Sequence, residues 1–214
     1  MIDKHLGKQL FSEIVHSFYA DGTLTESDLK LPTREFLDKF LSIVKKTDLK
    51  PIVDYRETIL SQAEEFLRQK QFEYATVFFA MFFEHTLNGI IHTECKRRHI
   101  EEKDQSTIIR SVDLYGKLTW LPLLLGHKKF NEKHLKTIKL LADKRNAFVH
   151  YKWKMEVEDE VVEDLKIQEQ FKQVKAAVKY IRLYESNFFY LKNKKNIASK
   201  INIKKPESKL SSLA

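Results

Sequence analysis

The stretch Ala75–Ile91, ATVFFAMFFEHTLNGII, decides the fold. Read at about 100° per residue, Phe78, Phe79, Phe82, Phe83, Leu87, Ile90 and Ile91 cover more of a helix circumference than one packing contact requires. A helix from about Phe72 to Arg98 is therefore either central to a bundle or partly covered by a second copy of the chain. Its apolar run is interrupted at Glu84 and His85, well short of a bilayer-spanning length, so no membrane segment is predicted.

The flanking segments repeat the helical period. Leu6, Leu10, Ile14, Val15 and Phe18 place a stripe on a helix over Asp3 to Tyr19, with a turn at Asp21 and Gly22. Thr33 stands as the cap of a helix from Arg34 to about Lys46 that buries Phe36, Leu37, Phe40, Leu41 and Val44, and Pro51 breaks the pattern. Asp54 to Arg68 carries Ile59, Ala63, Phe66 and Leu67 at helical intervals. Asp104 to Gly126 reads as one or two helices with Ile108, Ile109, Val112, Leu114, Leu118, Trp120 and Leu121 inward and a bend at Pro122. Val157 to Leu191 is a long amphipathic helix built on Leu165, Phe171, Val174, Ala177, Val178, Ile181, Leu183 and Tyr184. Its start is acidic (Glu156, Glu158, Asp159, Glu160, Glu163, Asp164) and its end is expected to be enriched in Lys, matching the macrodipole. Five Gly and four Pro leave turn punctuation sparse, and no alternating strand pattern or internal repeat is visible. The expected fold class is all-α: an N-terminal helical extension over 1–50, a helical domain over 51–191 and a Lys-rich flexible tail over 192–214.

Composition narrows the setting. Charged residues at 32% and hydrophobic residues at 43% describe a water-facing globule. The single Cys95 excludes an internal disulfide and fits a reducing compartment. The start of the chain has an early acidic residue and no continuous apolar block, which argues against a secretory signal, so the expected location is cytoplasmic. A net charge of +8 favours a polyanionic partner. Seven lysines against the one acidic Glu207 between Lys192 and Lys209 carry much of it, either as solvated solubilising charge or as an attraction for RNA.

The chemistry sits in Leu140–Trp153, LLADKRNAFVHYKW, where Arg145, Asn146 and His150 stand at the polar end of an apolar run. A guanidinium forks onto phosphate oxygens, and an imidazole exchanges protons near neutrality, so together they suit cleavage of a phosphodiester. On a regular helix Asn146 and His150 share a face, while Arg145 points about 140° away from His150. One helix therefore does not make a compact pair. Either the long Arg side chain sweeps round or a second copy supplies the missing group across a two-fold axis.

This segment resembles the signature helix of the HEPN superfamily, in which Arg is followed by four to six residues and then His, commonly with a polar residue such as Asn146 after the Arg. Phe148 and Val149 before the His and the helical run from Lys133 to Leu141 add to the likeness. Ala75–Ile91 is similar to the long early helix that packs on that signature helix. Together the two stretches make the resemblance span most of Asp54 to Leu191. The resemblance implies a HEPN-like helical bundle and a homodimer with a composite cleft. It also implies metal-independent endoribonuclease activity without a cofactor, in a toxin–antitoxin or antiviral defence setting with an antitoxin or defence protein as partner. RNA is the substrate because its 2′-hydroxyl attacks the adjacent phosphorus. His150 would shuttle a proton, Arg145 would stabilise phosphoryl charge, and Asn146 would orient His150 or contact phosphate. The bland alternative leaves Arg145 in an ion pair with Asp143 or Glu84 and His150 as a helix-end cap, in a non-catalytic module that binds RNA or a protein.

Glu84, His85 and Asn88 interrupt the apolar helix and either line the same cleft, with Glu84 orienting Arg145, or face solvent. Tyr151, Lys152 and Trp153 offer stacking and phosphate contacts, although core packing is the commoner fate of a Trp. HEPN toxins paired with a nucleotidyltransferase antitoxin carry a Tyr where this chain has Lys152, so tyrosine modification is not carried over. His92 with Cys95 and His127 with His134 form no four-ligand pattern, and no metal is expected.

Overall fold

The computed structural model describes residues 4–47, 54–150, 160–190 and 193–201, with side chains from residue 6 and, in the helix that begins at Glu160, from residue 166. Among these residues the fold is all-α, with no strand. The helices are α1 (Lys4–Ala20), α2 (Glu26–Lys30), α3 (Thr33–Lys46), α4 (Arg56–Arg68), α5 (Phe72–Arg97), α6 (Glu102–Ser111), α7 (Leu114–Leu118), α8 (Trp120–Leu124), α9 (Glu132–Val149), α10 (Glu160–Tyr190) and α11 (Lys194–Ile201). None is long and apolar enough to cross a membrane. The described residues of Met1–Pro51 and Phe189–Ala214 make one compact unit, and those of Ile52–Phe188 make the other.

In the larger unit α5 is central, as its broad apolar surface requires. Phe79, Phe82, Phe83 and Leu87 are buried, in one core with Ile59, Leu60 and Ala63 of α4, Ile138 and Leu141 of α9, and Phe171, Val174, Ala177, Val178 and Ile181 of α10. Each Val, Leu, Ile or Phe among them contributes about 1.5–3 kcal/mol when fully removed from water. A smaller cluster of Ile91, Cys95, Leu121 and Leu125 closes the far end.

An aromatic ladder fixes the start of α9 on α10. His127 stacks on Phe188 with ring centroids 3.4 Å apart, Phe130 on Tyr184 at 4.2 Å, and His134 on Tyr180 at 4.4 Å. Residue numbers rise on one side as they fall on the other, by helical steps, so the two segments run in opposite directions. The tyrosine hydroxyls also serve the connecting backbone. Tyr184 donates to the Lys128 carbonyl at 2.6 Å, and the Asn131 N–H donates to the Tyr180 hydroxyl at 2.7 Å.

The smaller unit packs Val15, Phe18, Leu24, Leu29, Phe36 and Phe40 around Ile197. Several expectations are corrected here. Leu6, Leu10 and Leu41 are exposed. Pro32, not Thr33, occupies the N-cap of α3, and Thr33 is its first residue. The short helix α2 was not foreseen. It is fixed by a capping box in which Thr25 accepts from the Asp28 N–H and Asp28 accepts from the Thr25 N–H. The tail assigned to 192–214 is not all tail, because 194–201 form α11: Ile197 fills the core beside Tyr190 and Phe36, and Asn193 donates to the Tyr19 hydroxyl at 2.7 Å. Residues 202–214 lie outside the described residues.

In the larger unit, 104–126 divides into three helices. The break at Thr119, with φ −116° and ψ −85°, resets the helical phase and turns Trp120 outward to 51% exposure, against its expected burial. Leu183 is likewise exposed, since it lies about 200° round α10 from the buried Ile181.

Candidate functional site

The site is carried by α9 where it packs on α5. Asn131 starts α9 by accepting the Lys133 N–H on its side-chain oxygen at 3.0 Å. The helix ends at Val149, and His150 is the C-cap residue, its N–H donating to the Asn146 carbonyl at 3.1 Å. Phe148 sets this end against α5 by an edge-on contact with Tyr74, centroids 5.8 Å apart. Lys144 reaches α10, donating to Gln170 Oε1 at 2.6 Å.

Arg145 is anchored. Its Nη2 donates to Glu84 Oε2 at 2.9 Å, and the two side chains are 28% and 35% exposed. The partner anticipated as a Glu84 that orients Arg145, or as a plain ion pair, is thus Glu84 and not Asp143. Glu84 faces a second cation. Lys117 of α7 is buried, and that burial lowers its proton affinity while the Glu84 and Asp113 carboxylates work against the shift. Gly116 lets the chain fold tightly on either side of α7, because a Cβ there would come within 2.7 Å of Val112 Cγ1 and 2.8 Å of Trp120 Nε1. Nothing in LYGKL distinguishes Lys117 from the chain's other lysines, so sequence reading missed it.

Two polar atoms here are buried without a hydrogen-bond partner among the described residues: Arg145 Nε and Asn88 Oδ1. Asn88 is one turn beyond Glu84 on α5, and its oxygen keeps unused acceptor capacity. His85 is exposed. Asn146 and His150 are also exposed, one turn apart on one face. No contact among the described residues joins the Arg145 guanidinium to the His150 ring. The structure therefore brings Arg145 together with Glu84, and it leaves His150 open to whatever approaches the end of α9. Tyr151, Lys152 and Trp153 lie outside the described residues.

Among the described residues no group of three or more His, Cys, Asp and Glu is placed to hold a metal ion. His92 and Cys95 are both kept neutral by burial, which lowers the imidazole and raises the thiol. His127 and His134 are rungs of the aromatic ladder, and burial, aided for His127 by Arg98 and Arg97, pushes its ring down to about 4.

The arrangement offers a fixed, partly exposed cation five residues before an accessible imidazole. Comparison with known proteins assigns no kinship: no family model, no curated protein and no solved structure matches this chain.

Proposed function

We propose that this chain is a metal-independent endoribonuclease of the HEPN type that cleaves RNA by attack of the 2′-hydroxyl on the adjacent phosphorus. The observation that carries this reading is Arg145, held by Glu84 at 2.9 Å near the end of α9, with His150 exposed at that end. A guanidinium fixed by a carboxylate is preorganised for the charge that builds on phosphoryl oxygens. The open imidazole takes or returns the proton of the hydroxyl or leaving group. The exposed amide of Asn146 contacts phosphate or orients His150.

Because Arg145 and His150 diverge on one helix, the working cleft is composite, with a second copy supplying the complementary group in a homodimer. The natural setting is a toxin–antitoxin or antiviral defence system. Incubation with single-stranded RNA in EDTA is the test. Cleavage to cyclic-phosphate and 5′-hydroxyl ends, lost in both Arg145→Ala and His150→Ala while folding persists, is the expected result. Activity that survives both substitutions, or a monomer at micromolar concentration by light scattering, overturns it.

A second reading, a non-catalytic helical module that binds a protein partner or RNA, is favoured by one observation. Tyr115, Trp120, Leu123 and Leu124 on α7 and α8 are each at least half exposed. Absence of cleavage by the folded wild-type dimer would select it.

A further inference from the structure

A second surface of the larger unit has the chemistry to hold a polyanion. Between the α4–α5 turn and α10 lies an open groove of about 730 Å³ rimmed by Arg68, Lys70, Lys172, Lys175 and Lys179, with no carboxylate in its lining. Its floor is apolar, formed by Leu67, Phe72 and Phe171, with Phe72 and Phe171 stacked at 6.0 Å. Neither Arg145, Asn146 nor His150 lines it.

Three features argue for a built site over scattered solubilising charge. Lys172, Lys175 and Lys179 are three and four residues apart, so they share one face of α10 and rise by about 4.5 and 6 Å along it, a row suited to successive phosphates. Two of the five cations are engaged only by exposed partners outside the lining, Arg68 by Glu65 and Lys172 by Glu169, and such surface pairs yield readily to a phosphate. Lys70 adopts φ +57°, the left-handed conformation that glycine takes at a helix end without cost, and its side chain lines the groove.

We infer that this groove is a binding track for a single-stranded phosphodiester chain, with phosphates on the lysine rim and bases resting on Leu67 and Phe72. A duplex would present only its phosphate rails and leave the floor unused. The track is separate from the α9 site, because Gln170, which binds Lys144, lies about 140–200° round α10 from Lys172, Lys175 and Lys179. That the strand is RNA rests on the proposed function; the demand for a phosphate chain rests on the groove alone.

The test uses the full-length protein and a labelled single-stranded 2′-O-methyl RNA, which lacks the attacking hydroxyl and so reports binding without cleavage. Fluorescence anisotropy across a salt series is expected to show Lys175→Gln/Lys179→Gln binding about tenfold more weakly near physiological salt. The slope of log K against log salt should shrink by about 1.4, from two lost phosphate contacts at about 0.7 each. Lys70→Gly separates function from structure: it is expected to raise Tm while lowering affinity. The lysine effect on affinity and slope is expected to persist in the Arg145→Ala/His150→Ala background, so a failed nuclease reading and a failed groove remain distinguishable. Unchanged affinity and slope in the lysine double variant overturn the track. Tighter binding of duplex RNA or of inorganic polyphosphate than of the single strand overturns the single-strand assignment.

Discussion

The two halves of α9 do opposite things with the same helical backbone. Up to Leu141 it turns a dry face to the core: Ile138 and Leu141 are about 1% exposed, and His134, with Phe130 just before the helix, stacks on α10. Its second half is wet: Arg145 is partly exposed, and Asn146 and His150 are open to solvent. The contrast teaches that the packed half immobilises the axis on which the polar half is presented. Positions that hold the helix and positions to which the proposed function gives chemistry are separated by about one turn, and they should respond to substitution in different observables.

The largest effect should fall on the wet half and appear only in rate. His150→Ala is expected to lower RNA cleavage by roughly 10²–10⁴-fold, the range for loss of a positioned acid or base, with stability changed by less than about 0.5 kcal/mol. A comparable loss of stability would dissolve the contrast. Next comes the dry half. Leu141→Ala removes a fully buried side chain, and denaturant unfolding should show a loss of about 2–5 kcal/mol while cleavage per folded molecule persists. A Leu141→Ala protein as stable as wild type would show that the core does not depend on this seam.

The ladder adds a pH dependence with a definite sign. His127 titrates at about 4 in the fold against an ordinary 6.5, chiefly through burial and then through Arg98 and Arg97. Between those values the unfolded chain binds a proton that the folded chain refuses. Stability is therefore complete above pH 6.5 and falls as pH drops toward 4, by about 3 kcal/mol. His134 and His92 are lowered in the same direction and add to the fall, whereas Asp28 and Asp54, whose carboxyls lie below 3.8, act only in stronger acid. Replacing the ring by His127→Phe keeps a stacking partner for Phe188 and should flatten most of the slope in urea titrations at pH 7.5, 6 and 5. An unaltered slope would assign the acid sensitivity elsewhere.

Legibility in the sequence followed the length of each element and the reach of each interaction. α5, α9 and α10 were visible because many turns let the apolar period accumulate. α2 spans a single turn, too short for any period, and its one signal was Thr25 three residues before Asp28, a capping pair that went unread. Trp120 was placed inward because a continuous phase was carried through Thr119, where the backbone breaks. α11 was hidden because Ile197 and Ile201 sit among lysines whose charge dominates the local composition. At the site, Arg145, Asn146 and His150 were named from residue type and spacing, and Glu84 from being a charge inside an apolar run. Lys117 was not legible, since only the folded arrangement decides which lysine is desolvated beside that carboxylate.

Glu84 is where the dry and wet halves meet, and it gives the smallest and most discriminating effect. Its carboxylate is paired with the partly exposed Arg145 and exerts a longer-range attraction on the buried Lys117. Glu84→Gln keeps the shape and one acceptor oxygen but removes the charge, so the loss of stability should be only about 1 kcal/mol, shared between a partly exposed pair and a lysine that can give up its proton. If Glu84 positions the guanidinium, cleavage should fall about tenfold through kcat with KM little changed, because the lost interaction matters most when phosphoryl charge develops. A double-mutant cycle with Arg145→Gln separates the two roles. Strong coupling in kcat with weak coupling in stability makes Glu84 a positioning residue of the site. Coupling in stability alone would reduce the pair to a strut between α5 and α9 and return Arg145 to the ranks of ordinary surface cations.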